Sequence, residues 1–450
     1  MPDSARQQHA TDILTAHAEL EAYWLPFSGN RQFKDNPRII ESAQGCYYID
    51  AEGRRILDTM SGLWCCGFGH NRPEIAEAVN RQLRELDYAP AFQFGHPLAF
   101  ALANRLKAMT PAGLDHVFFT NSGSESVETA LKIAKAYWRL AGQPQKTRLV
   151  GRVKGYHGVN FGGTSVGGIE PNRAPYGELA AAEHLPATLL PENAFSRGQP
   201  EHGAELADAL EGLVAEHDAE TIAAVIVEPF SGSAGVIVPP KGYLEKLRAI
   251  CDEHEILLIF DEVITGFGRT GHAFGADAFG VTPDIMCLAK ALTNGAVPMG
   301  AVVVKGSIYE TFMNVDTPEY MVEFPHGYTY SGHPVACAAA HAALDIFECE
   351  ALAERAHDLA PYFENALHGL RGTKHITDIR NFGLAGALQI DPIPGEPVRR
   401  PFEIGIECWN RGLYVRWGGD TVQLGPAMVI EREQIDEACN ILADVIPTIA

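Results

Sequence analysis

Residues 256–304 read ILLIFDEVITGFGRTGHAFGADAFGVTPDIMCLAKALTNGAVPMGAVVV. Short, nearly all-apolar runs alternate with glycine-rich turns, and runs without polar alternation belong to strands buried on both faces of a sheet. The first run leads straight into Asp261, and the run from Pro283 ends at Lys290, followed by the turn-like Thr293, Asn294 and Gly295. Ligands of open α/β sheets bind beyond the carboxyl ends of the strands, so an acid there is more often functional than structural. A lysine at the mouth of an apolar strand sheds its proton readily and can attack a carbonyl, although a surface lysine closing a strand would read the same way. Gly266, Gly268 and Gly271 spell GxGxxG, but a dinucleotide fingerprint opens a helix and is answered about 20 residues later by an acid ending the second strand. Here the glycines lead into HAFGADAFG, too rich in glycine for a good helix, and Asp284 begins the next strand.

Working outward, the same pattern spans residues 73–345, where HVFFT, RLVGRV and AAVIVEP interleave with helical segments. It predicts a largely parallel sheet wrapped by helices. Towards the N-terminus, Cys46–Asp50 and Arg55–Asp58 read as a hairpin turning at Glu52 and Gly53. After about residue 350 a second α/β stretch runs through YVRW and TVQL to an amphipathic helix from Glu431. Residues 170–205, rich in Pro, Gly and Ala, form the longest irregular stretch. The expectation is an α/β chain with a large domain over 73–345 and a small α+β domain assembled from 1–72 and 346–450.

Phe119–Trp138, FTNSGSESVETALKIAKAYW, follows an apolar strand, and Val127, Leu131, Ala134 and Trp138 recur at helical spacing. Ser122, Gly123 and Ser124 then sit at a helix start, where free N–H groups, the dipole and two hydroxyls suit a phosphate. An ordinary serine-capped helix reads identically. A phosphate turn, a buried Asp261 and a strand-end Lys290 on one sheet edge are together what pyridoxal 5'-phosphate needs. They would hold its phosphate, its ring nitrogen and its aldehyde carbon. Tyr156, in KGYHGVNFGGTS, is a candidate to stack on the ring, or else a packing residue.

Composition narrows the function class. Of 450 residues, 57 are acidic and 35 basic, a formal charge of -22 that repels phosphate backbones and anionic membranes. Nine cysteines without a CxxC pair suit neither a disulfide framework nor a metal site, and a reducing cytoplasm is the expectation. The start, MPDSARQQHATDILTAHAEL, lacks the basic end and apolar run of an export signal, and no stretch is apolar for long enough to span a bilayer.

The run from DEVITGFGRTG through PDIMCLAKALTNGAVPMGAV resembles the signature of class III, fold-type I pyridoxal-phosphate aminotransferases. FTNSGSESVETALKIAKAYWR, KGYHGVNFGGTSVGG, YTYSGHPVACAAA, RNFGLAGALQI and YVRWGGDTVQLGP are similar to the ω-amino acid:pyruvate (β-alanine:pyruvate) members over nearly the whole chain. The resemblance implies that Lys290 binds the cofactor as a Schiff base, Asp261 contacts the ring nitrogen, and Val263 packs behind the ring opposite Tyr156. Gly123 and Ser124, after Ser122, would hold the phosphate, with His157 and Glu228 among the cofactor contacts. Thr329 matches a threonine that reaches the phosphate from a neighbouring subunit. A homodimer with shared sites follows, with pairing into tetramers left open. Arg416 matches an arginine that receives a substrate carboxylate, and Trp64, Phe27 and Phe92 match pocket walls. Glutamate-using relatives carry an acid and an arginine where this chain has Ser233 and Gln423, so pyruvate or alanine is the expected partner. The implied reaction is a two-stage transfer of an amino group from an ω-amino acid such as β-alanine to pyruvate. Alternatives are an amine:pyruvate or taurine:pyruvate aminotransferase, and, in another class, an inactive binding or assembly subunit on the same fold.

Overall fold

The computed structural model describes residues 20–450, so the reading of the first 19 residues as free of an export signal lies outside the described residues. The apolar runs become a seven-stranded sheet. Its strands are β4 (Leu114–Thr120), β5 (Arg148–Arg152), β6 (Ala182–Leu185), β7 (Ile222–Val227), β8 (Leu257–Asp261), β9 (Ile285–Leu288) and β10 (Gly300–Lys305), in the order β4-β10-β9-β8-β7-β5-β6. β5 to β9 run parallel, whereas β10 is antiparallel to both β9 and β4. The connection from β9 to β10, residues 289–299, is shorter than the dozen or so residues that a parallel crossover takes, and it turns back directly.

Both faces of the sheet are covered, which explains the missing polar alternation. Ala224, Ile226, Leu257, Ile259, Ile285, Cys287, Val302 and Val304 pack with Val127, Leu131, Ala134 and Trp138 of the helix Gly123–Leu140. The alternate residues Val225, Val227, Leu258, Phe260, Met286, Leu288, Ala301 and Val303 face the other core. β7, β8 and β9 end side by side at one edge, and β4, which shares their direction through β10, ends there too, just before the helix that begins at Gly123.

Two smaller sheets flank this one. β1 (Ile40–Gln44), β2 (Tyr47–Asp50) and β3 (Arg55–Asp58) form an antiparallel meander, and β13 (Leu413–Tyr414) joins it by parallel pairing of Leu413 with Leu57. The other has the order β11-β12-β15-β14, from β11 (Ile376–Phe382), β12 (Ala385–Ile390), β14 (Arg416–Gly418) and β15 (Thr421–Leu424). The final helix, Arg432–Val445, is capped by Glu431. Among the described residues no helix is long and apolar enough to cross a membrane.

Residues 170–205 are less irregular than their composition suggests. They contain β6, an edge strand of sequence AEHL whose first three side chains are only half-buried, and which lacks the β-branched residues that mark a strand. HAFGADAFG also holds a helix, the short Gly275–Phe279, whose start is fixed by Phe274 N donating to Asp277 Oδ2 at 3.1 Å. Asp284 is a structural ion-pair hub, accepting from Arg248 and Lys305 and from Leu258 N.

Ile259 is fully buried at the centre of the sheet, in register with Ile226 on one side and Ile285 on the other. Ile259→Ala should lower unfolding stability by about 3 kcal/mol, read from the denaturant midpoint.

Candidate active site

The turn after β9 places Lys290 at the start of a one-turn 3-10 helix with φ 48, a left-handed backbone that a side-chain-bearing residue adopts at a cost. Its half-buried amine is pushed below the ordinary lysine range, first by burial and then by the charge of Arg416, while Cys65, Asp261 and Glu228 oppose the shift. A lysine so placed carries a free lone pair at lower pH than usual.

Asp261 closes β8 and is 5 % exposed. One carboxylate oxygen, Oδ1, accepts Val263 N at 3.2 Å, and Oδ2 faces His157 Nδ1 at 2.9 Å. An ionised carboxylate only accepts, so Nδ1 carries the proton and His157 donates. Glu228, just beyond β7, accepts Tyr156 N at 3.0 Å and Gly232 N at 2.9 Å, and so fixes the backbone of the loop that bears the Tyr156 ring. Burial pushes the Glu228 carboxyl up to about 7.

The helix start is built for close approach. Ser122 caps it, its side chain accepting Glu125 N at 3.2 Å, and the next N–H groups have no partner one turn earlier in the helix. A Cβ on Gly123 would lie 2.9 Å from Val263 Cγ1, and one on Gly158, whose φ is +87, would lie 2.5 Å from Ser124 Oγ. Only glycine leaves the cradle open at both points.

One cavity is lined by Gly123, Ser124, Tyr156, His157, Glu228, Asp261, Val263 and Lys290, so eight residues singled out in the sequence meet there. Ile264 and Gly158 complete the wall. Neither carries a chemical group that a sequence pattern could flag, although Ile264 adjoins Val263. The arrangement offers an anion cradle, a carbonyl-reactive amine and a carboxylate suited to a protonated ring nitrogen.

Ser122 stands just outside the lining as the helix cap, and five other candidates stand apart from that cavity. Arg416, in β14, acts on Lys290 and Tyr156 through its charge; its Nε is buried without a partner, and it forms no ion pair among the described residues. Trp64 is 3 % exposed, seated on Gly425 with the Arg269 guanidinium 5.3 Å from its ring. Phe27 is 75 % exposed and lines a neighbouring cavity that shares Tyr156, His157 and Gly158 with the first. Phe92 and Thr329 are exposed on one surface region, where Phe92 lies over Gly327 and the Thr329 carbonyl accepts the Tyr88 hydroxyl at 3.0 Å. Gln423 is fully buried and donates to the Ser233 carbonyl at 3.1 Å, so the two neutral residues from which pyruvate or alanine is expected as partner meet in the structure.

Glu262, next to Asp261, holds the following loop: it accepts Thr265 Oγ1, Gly275 N and Ala276 N, and burial pushes it up to about 7. A carboxyl raised in the folded state binds protons that the unfolded chain has released, so its contribution is full below about 4.5 and is lost as pH rises to about 7. Glu262→Gln loses an acceptor and should unfold about 1–3 kcal/mol more easily. The gap to the parent should be widest at pH 4.5 and narrow towards 7 in thermal melts run across that range.

A family model for class-III aminotransferases matches residues 29–446. The chain is 56% identical over 441 residues to an omega-amino acid–pyruvate aminotransferase of Pseudomonas putida, covering 98% of each. It is 57% identical over 438 residues to a beta-alanine–pyruvate aminotransferase of Pseudomonas aeruginosa, covering 97% of this chain and 98% of that one. Among solved structures, an amine transaminase from an uncultivated Pseudomonas species in its PLP-bound form superposes with a TM-score of 0.86 at 37% identity, covering 95% of this chain and 97% of that one.

Proposed function

The chain belongs to the class-III aminotransferases, and on that footing we propose that it uses pyridoxal 5'-phosphate to move the amino group of an ω-amino acid such as β-alanine to pyruvate, giving L-alanine. The observation that carries this reading is the single cavity in which the Lys290 amine, the Asp261–His157 pair and the open helix start at Gly123 converge. The substrate class rests on the near full-length likeness to the two pyruvate aminotransferases.

When bound, pyridoxal phosphate supplies an aldehyde that condenses with amines and a cationic ring that draws electrons from the amine-bearing carbon. Ser124 and the first-turn N–H groups hold the phosphate, with the helix dipole in support. Asp261 would keep the ring nitrogen protonated, and His157, donating to Oδ2, fixes the carboxylate and counters the cost of burying it. Lys290 would hold the aldehyde carbon and, with its amine free, would serve as the base that moves a proton between the amine-bearing carbon and that carbon. Burial lowers the proton affinity of its amine, which favours the neutral form that this role needs. Tyr156 and Val263 wall the ring, the former held in place by Glu228.

Arg416 receives the substrate carboxylate with its planar fork. Ser233 and Gln423 supply no charge for a second carboxylate, which favours pyruvate over 2-oxoglutarate. The exposed Thr329 and Phe92 belong to a face buried in a homodimer, and nine free cysteines suit a reducing cytoplasm.

Purified protein should show a visible cofactor band that bleaches with β-alanine and returns with pyruvate. Lys290→Ala should lose the band and any borohydride-fixed cofactor. A band that answers only to amines without a carboxylate would move the donor class to those amines. Arg416→Ala should lower kcat/KM for β-alanine and pyruvate by about 10- to 100-fold, the worth of a charged hydrogen bond, while sparing turnover of an amine that has no carboxylate.

A further inference from the structure

The strip Phe324–Tyr330 runs over the helix Gly123–Leu140, whose first turn edges the cavity, and no residue of the strip lines that cavity. What fastens it is a row of four hydrogen bonds. Lys132 Nζ lies 3.1 Å from His326 Nδ1, and His326 Nε2 lies 2.9 Å from Thr129 Oγ1. Thr129 Oγ1 lies 3.1 Å from the Tyr328 hydroxyl, which is 3.3 Å from the Glu125 carbonyl.

The donors can be ordered from both ends. An ammonium only donates and a carbonyl only accepts, so Lys132 gives to His326 Nδ1 and the Tyr328 hydroxyl gives to Glu125. His326 must then donate from Nε2 to Thr129, and Thr129 to Tyr328. The row closes only with a neutral imidazole in that one tautomer. Burial and the Lys132 charge both push His326 below its ordinary range, in keeping with the neutral form. Phe118, stacked at 5.5 Å, and Phe324, at 5.3 Å, box the ring. Lys132 is the charge that faces His326; Glu125 and Glu128, on the same helix, act on Tyr328.

Thr329 follows Tyr328 directly, is exposed and does not line this chain's own cavity. We propose that His326 is a positioning residue for the transfer reaction: with Tyr328 it clamps the strip to the helix of its own cradle, so that Thr329 stands at the height where a second copy's bound phosphate meets it. The proposal rests on the reading of Thr329 as a phosphate contact across the pair. Its content is that each chain uses one helix twice, once to hold its own phosphate and once as the ruler for its partner's.

The experiment follows release of cofactor from the holoenzyme, as decay of the visible band on dilution, alongside thermal unfolding. Thr329→Ala should speed release by about 10-fold or more, as for a lost hydrogen bond to a charged group. His326→Leu should do the same, and the double variant should release no faster than Thr329→Ala alone, because the two losses are one loss. His326→Gln, which can still accept from Lys132 and donate to Thr129, should restore slow release. If His326→Leu does not fold, Tyr328→Phe keeps the ring, breaks the row and replaces it in the comparison. Unchanged release in His326→Leu, effects that multiply in the double variant, or a Thr329→Ala release like the parent's would each overturn the proposal. Absence of a visible band in the parent would instead strike the cofactor reading.

Discussion

A sheet buried on both faces leaves polar chemistry one place to gather, beyond the ends of its strands. Every central strand here is apolar on both sides, and each becomes chemical at or just past its last residue: Glu228 after β7, Asp261 at the end of β8, Lys290 after β9. Because these strands are parallel and adjacent, the three groups arrive at one edge without any loop having to carry them there. The helix start at Gly123 reaches the same edge because β4, though next to an antiparallel strand, runs in their direction.

The second constraint is that charges so placed are expensive to bury and must be matched. Glu228 accepts two backbone N–H groups and Glu262 three donors, while Asp261 is answered by His157. Arg269 is answered differently: it donates to the Leu384 and Pro426 carbonyls and to Ser61 Oγ, and lies over Trp64. A single guanidinium thus ties the glycine-rich turn after β8 to the N-terminal and C-terminal stretches, and it does so entirely through neutral partners.

Much of this was legible in the sequence because strand burial and strand ends are local signals. HVFFT, ILLIF and the rest lost their polar alternation for the reason that the core clusters display, and Asp261 and Lys290 stood out as polar residues closing apolar runs. What was not legible depends on pairing across distance. The direction of β10 follows from the length of a turn, and β6 has no strand-forming side chains of its own. The seat of Trp64 is made by Gly425, some 360 residues along the chain. Arg269 lay inside a glycine pattern that suggests nucleotide binding, whereas its work is to join segments. His326 drew no notice, because a histidine before a glycine in an aromatic-rich strip means nothing until Thr129 and Lys132 are found beneath it. The resemblance to a known family supplied Thr329 and Arg416, which the residues alone would have left as surface positions.

Strand order also has a consequence for how the chain is made. β4 is an edge strand whose one partner is β10, so the segment around residue 117 has nothing to pair with until residue 305 has left the ribosome. At ordinary rates of synthesis, roughly 5–20 residues per second, that is a wait of about 10–40 s with an apolar strand unpaired. The parallel strands between them can assemble in order of emergence, but the edge that carries the phosphate cradle closes last. Nascent chains that stall before that point hold a nearly complete sheet with an open, sticky margin, which makes them natural clients for chaperones and a hazard for neighbouring copies on the same message.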